Sequence, residues 1–230
     1  MSTRRDDEDK RPLAAAVARA EHEGSRREGD RHVTLGDKAR RTRNRLLRAA
    51  YEQFSETGYR GTQVADICGR AGMSVGTFYQ YFRSRSDVMT TLVSEAVRGT
   101  LDLPPWSLDR GRRGIRELLR DYIVGYETTA QFQGVWEEAT HVDDVPAAVR
   151  RDLSRFMTER LELEFKRAKR AGAIGREIDP RLLATALAAM VDRYCYLTYV
   201  FDPPDRPVPV EESVAVLEHI WSSALGIEGD

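Results

Sequence analysis

Apolar residues along this chain recur every three to four positions. From Asp37, the stretch DKARRTRNRLLRAAYEQFSETG sets Leu47, Ala50, Tyr51 and Phe54 at helical spacing and crowds Arg40, Arg41, Arg43, Arg45 and Arg48 into its first half. Gly58 supplies a left-handed stop. A second short helix, QVADICGRA, follows with Thr62 as N-cap and Val64, Ile67 and Cys68 on one face, and Gly72 closes it. Ser74 caps a third helix, VGTFYQYF, and Ser84 with Asp87 makes the S-x-x-D capping box of a fourth, running from Arg85 to about Gly99. Five more periodic segments follow, at about 113–130, 131–141, 146–171, 180–201 and 210–225, with Pro146 and Pro180 where a first helical turn tolerates proline. No stretch alternates with period two between hairpin turns, so the fold reads as all-α.

The pattern also divides the chain. Residues 1–36 mix Arg, Asp, Glu and Gly with few large apolar side chains and read as a disordered tail. The Pro pair and glycines of TLDLPPWSLDRGRRG, Thr100 to Gly114, break the helical run, which gives a small domain over 37–99 and a larger one over 100–230.

Charge sharpens this division. The net charge of −1 hides 19 Lys and Arg against 14 Asp and Glu up to residue 100, and 17 against 23 beyond it. A basic block joined to an acidic one suggests that the first meets a polyanion and the second does something else. No run reaches the roughly 18 apolar residues of a membrane span, and the start lacks the apolar stretch of a secretion signal, so a cytoplasmic protein is expected. Cys68 and Cys195, far apart and without ligand spacing, read as small buried hydrophobes.

Within the basic block, the two short helices joined by GMS have the length and turn of a helix-turn-helix, whose second helix enters the DNA major groove. Gly76 keeps that helix thin for close approach. Thr77 is short enough to bond a phosphate, and Tyr79 and Tyr81 reach the backbone on rigid arms. Phe78 and Phe82, four apart, share a face and act as buried pegs. A helix serving only as core would explain the two Phe residues but would leave Gly76, about 1 kcal/mol worse than Ala in a helix, without a purpose.

The run GYRGTQVADICGRAGMSVGTFYQYFRSRSDV closely resembles the DNA-binding domain of the TetR family of bacterial transcriptional regulators, over about Lys38 to Val97. The resemblance implies a homodimer in which each subunit has an N-terminal three-helix helix-turn-helix domain and a larger C-terminal helical domain for ligand binding and dimerisation. Carried onto these positions, it makes Thr62 a phosphate contact, sets Val75, Gly76 and Gln80 toward the bases, and anchors Thr77, Tyr79, Tyr81 and Arg85 on phosphates. Ser74 opens the reading helix, and Arg43 is a further phosphate candidate. Gln80 is the best candidate for direct base reading, because its amide can pair with adenine. The family more often has Lys at the Arg85 position and an acidic residue at Ser86.

The resemblance also implies that the last two helices pair with their copies. Leu183, Leu187 and Met190, beside Ala184, Ala188 and Ala189, permit such packing. Trp106, Tyr122, Tyr126, Phe132, Trp136, Phe156, Met157 and Tyr194 are pocket candidates whose apolar character suits a lipophilic ligand. His141 to Asp144, HVDD, is the one cluster resembling metal ligands, and with a single His it reads as a loop. No paired carboxylates, nucleophile with a base, or phosphate-binding glycine loop suggests an enzyme, and no cofactor is implied. The expected function is a ligand-responsive repressor binding a palindromic operator. A helical protein-interaction module, or an activator without small-molecule control, remains the alternative.

Overall fold

The structure, a computed structural model, describes residues 36–101, 107–175, 177–203 and 208–227. The expected tail, apart from Gly36, and Trp106 lie outside the described residues. Among the described residues all regular structure is helical: α1 (Asp37–Gly61), α2 (Val64–Ala71), α3 (Val75–Tyr79), α4 (Arg85–Leu101), α5 (Gly111–Thr128), α6 (Ala130–Thr140), α7 (Asp144–Arg170), α8 (Pro180–Tyr196) and α9 (Val210–Ala224). A 3-10 turn, Leu108–Arg110, precedes α5, and α8 widens into a π-helical turn, Leu197–Phe201.

The chain forms two compact units. One holds the described residues up to Gly99 together with Gly134–Asp152; the other holds the described residues of Thr100–Gln133 and those from Leu153 onward. The helices α6 and α7 therefore each contribute residues to both units.

In the first unit α1 packs on α2, and α2 on α3. Its interior is built from Leu46, Ala50, Phe54, Ile67, Phe78 and Met89, each fully buried. The α1 helix continues past Gly58, which takes φ 74° and ψ 173° and breaks the helical geometry inside it. Thr62 is not the N-cap of α2, as the sequence suggested. Its hydroxyl donates to the Gly58 carbonyl at 2.8 Å, closing α1, while Gln63 and Asp66 form the capping box of α2 instead. The Ser74 and Ser84 caps are present: Ser74 Oγ accepts from the Thr77 amide at 3.0 Å and Ser84 Oγ from the Asp87 amide at 3.1 Å.

The second unit centres on Ile115, Leu119, Phe165, Val191, Leu217 and Trp221. Arg112, Arg116 and Arg120 on α5, four apart, face Glu218 and Glu211 on α9 at 2.6–3.0 Å. Burial opposes ionisation of Glu218, but the bonds from Arg112 and Arg116 outweigh it and hold the carboxyl below its ordinary range. Ala184 and Leu187, expected on the outer face of α8, point into this core. The apolar residue left outside on α8 is Leu182, followed by the small Ala186 and Ala189; on α9 it is Val216 and Ile220. An apolar helix has more than one apolar face, and periodicity alone did not say which one the chain's own core takes.

Both cysteines are buried and free. Burial, aided by the negative charge of Asp192, pushes the Cys195 thiol up to about 12. The unfolded chain releases this proton at a lower pH than the folded one, so this contribution to stability holds at neutral pH and declines as pH climbs from about 9 to about 12. Urea titrations across that range should show the decline, and Cys195→Ala should flatten it.

Candidate nucleic-acid interface

The reading helix owes its position to the turn before it. Gly72 adopts φ 60° and ψ 43°, and its amide and that of Met73 bond back to the end of α2, so the chain reverses within three residues. Only glycine takes this conformation without strain. Ser74 then caps α3, and the Phe78 and Phe82 rings pack at 5.7 Å, tilted by 45°, on its inner side, both buried. Gln80 and Tyr81 follow the last turn of α3, which is shorter than the sequence suggested.

The other side of α3 is open. Val75, Gly76, Tyr79 and Gln80 are exposed, Tyr79 by 56%, and Thr77 and Tyr81 are partly so. A Cβ built on Gly76 would meet only Ser74 Oγ, at 3.7 Å. Nothing inside the protein requires glycine there. The expected base-facing set and the expected phosphate set on α3 thus come together on one uncharged, solvent-facing surface.

Two expected phosphate contacts are placed differently. Thr62 is fully buried, with its hydroxyl bonded to Gly58 and Thr57, so it offers no side chain to DNA. Arg85 turns Nη1 inward to the Thr62 carbonyl at 2.7 Å, and its guanidinium lies 4.2 Å from the centre of the Tyr59 ring. Desolvation raises the cost of leaving a carbonyl such as Thr62 without a donor, and Arg85 meets that need. Arg43 is half-buried over the Phe82 ring and 3.4 Å from Glu95. Arg40, Arg41, Arg45 and Arg48 on α1 are among the exposed cations of the first unit, as is Arg83 after α3.

The expected pocket residues that the structure describes are divided between the two compact units. Tyr126 belongs to the second unit's core, with Tyr122 and Tyr194 packed against it; Tyr122 donates to Asp192 at 2.9 Å and Tyr194 bonds Ser213 at 2.8 Å. Phe132 and Phe156 are buried and Met157 is half-buried. Trp136 is in the first unit, where its indole N–H donates to the Pro146 carbonyl at 3.4 Å. Asp143 of the HVDD segment is bonded to Tyr59 and Ser86, and no metal-holding cluster occurs among the described residues.

A short helix anchored by two aromatic pegs, held across a three-residue turn and open on an uncharged face beside a run of arginines, defines a helix-turn-helix DNA-binding protein. Residues 46–91 match the family described as bacterial regulatory proteins, tetR family. The chain is 25% identical over 169 residues to the uncharacterized HTH-type transcriptional regulator YdgC of Bacillus subtilis, covering 70% of this chain and 85% of that one. It is 26% identical over 189 residues to the HTH-type transcriptional regulator EthR of Mycobacterium tuberculosis, covering 78% and 85%. Among solved structures, NalD, the secondary repressor of the MexAB-OprM multidrug efflux pump in Pseudomonas aeruginosa, shares the fold with a TM-score of 0.66 at 19% identity, covering 82% of this chain and 98% of that one. Over residues 46–91 the chain is thus similar to the TetR family of transcriptional regulators. Both curated relatives are described as HTH-type transcriptional regulators.

Proposed function

We propose that this regulator is a ligand-responsive repressor that binds a palindromic operator as a homodimer, with residues 37–99 as the DNA-binding domain and 100–230 as the ligand-binding and dimerisation domain. The observation that carries the reading is the open face of α3. Val75, Gly76 and Gln80 face base edges there; Ser74, Thr77, Tyr79 and Tyr81 hold the phosphate backbone. Arg43 and the exposed arginines of α1 supply attraction to the polyanion, and Arg85 contributes through its brace on Thr62.

The dimer is supported by the exposed apolar residues Leu182 of α8 and Val216 and Ile220 of α9, which a second copy would cover. The ligand is small and lipophilic, received among Tyr122, Tyr126, Phe132, Phe156, Met157 and Tyr194. No helix among the described residues is long and apolar enough to cross a membrane, in keeping with a cytoplasmic regulator.

The test is a gel-shift titration with the DNA upstream of the protein's own gene, over a series of salt concentrations. A complex that survives at salt where random duplex is released is expected. Equal affinity for all duplexes, or none for any, contradicts the reading.

A further inference from the structure

The corner between α1 and α2 is held from outside its own stretch of sequence. After Gly58 breaks the helix, the amides of Tyr59 and Arg60 point away with no local cap. The Glu138 carboxylate, at the end of α6, takes both, at 2.8 and 3.1 Å. Its approach leaves no room at Gly58, where an added Cβ would stand 2.7 Å from Glu138 Oε2.

Five residues further on, Asp143 divides its two oxygens. Oδ1 accepts from the Val145 amide at 3.1 Å, capping α7, while Oδ2 receives the Tyr59 hydroxyl at 2.6 Å and the Ser86 hydroxyl. The Tyr59 ring is fully buried and lies under Arg85, whose other bond fixes the Thr62 carbonyl two residues before α2 begins. Glu138, Asp143, Tyr59, Ser86 and Arg85 all belong to the first compact unit.

We infer that Glu138 and Asp143 are positioning residues for DNA binding: they clasp Tyr59 and Arg60 and so fix where α2, and through the Gly72 turn α3, begins. A carboxylate gains nothing from a phosphate, so neither acts by touching DNA. They act by restricting the corner from which both short helices start. A recognition helix of five residues, Val75–Tyr79, has little internal stiffness. Its placement must come from what holds its neighbours. The clasp rests on the DNA-binding reading above.

Glu138→Gln keeps the size of the side chain but loses one acceptor and the charge; Tyr59→Phe keeps the ring and loses only the hydroxyl. Both are compared with the parent protein, well below each variant's melting temperature, for binding to the selected operator and to random duplex and for amide hydrogen exchange. The expected results are faster exchange at Tyr59, Arg60 and residues 62–71, and about a tenfold weaker hold on the operator. Random-duplex affinity and its salt slope should stay unchanged, because no cation has been removed. Adding Asp143→Asn to Tyr59→Phe should cost less than the sum of the two single changes, since the two groups share one bond while Asp143 also holds Ser86. A purely structural role would lower both DNA affinities together with the melting temperature, and that result overturns the inference. Unchanged exchange at 59–71 in Glu138→Gln overturns it as well, whatever the DNA result. A parent protein with no operator preference overturns instead the reading it rests on.

Discussion

Gly76→Ala is expected to weaken operator binding by about tenfold or more and to leave the protein at least as stable as before. Alanine is the better helix former by about 1 kcal/mol, less near a helix end. The added Cβ meets only Ser74 Oγ at 3.7 Å, an ordinary contact. No internal clash offsets the gain, so urea and thermal midpoints should hold or rise slightly. In the proposed complex the same methyl would stand where the helix approaches the base edges, and it should cost about tenfold or more in operator affinity. Fluorescence anisotropy with labelled operator, beside a urea titration of the free protein, reads both effects. A fall in stability would mean that glycine serves the fold; unchanged DNA affinity would mean that this face does not approach DNA closely.

Phe78→Ala and Tyr79→Ala should part company although the two residues are neighbours. Phe78 is fully buried between α3 and the rest of the first unit and packs against the tilted Phe82 ring. Truncating such a ring typically costs about 3–5 kcal/mol, a large share of the roughly 5–15 kcal/mol that holds a domain together. Phe78→Ala should therefore unfold the DNA-binding unit at modest temperature and lose all DNA binding with it. Tyr79 is 56% exposed and touches Phe78 only edge-on, at 5.4 Å. Its removal should change stability by about 0.5 kcal/mol or less while weakening the operator complex. The slope of log affinity against log salt should stay put, since a neutral hydroxyl releases no counterion. Circular-dichroism melts paired with the salt series separate the two outcomes; a large stability loss in Tyr79→Ala would place that ring in the core.

The reading helix was legible in the sequence because its determinants are local. The glycine of GMS, the Ser74 cap and the Phe78 and Phe82 pair lie within eleven residues, and each has a local physical signature. Thr62 was misread for a local reason too. A threonine before a helix is a good cap, but Thr62 was already committed to the Gly58 carbonyl, and Gln63 with Asp66 capped α2 in its place. The clasp was not legible. Glu138 and Asp143 stand about eighty residues beyond Tyr59 in the chain, on a hairpin that periodicity had placed in the later domain. The one available signal was negative: the amides after Gly58 have no capping side chain nearby and must find an acceptor elsewhere. The ladder of Arg112, Arg116 and Arg120 against Glu211 and Glu218 was different. Its spacings of four and seven were visible in the sequence, but only the fold shows that α5 and α9 face each other.

Selection from a library of random duplexes tests the central claim most directly. The protein is mixed with the library at moderate salt, bound DNA is recovered and amplified, and the enriched sequences are read. The account predicts an inverted repeat with half-sites centred about one helical turn apart or a multiple of it, and it predicts that Gly76→Ala enriches that repeat far less under the same conditions. No enrichment by the parent protein, or enrichment that survives Gly76→Ala unchanged, would contradict it.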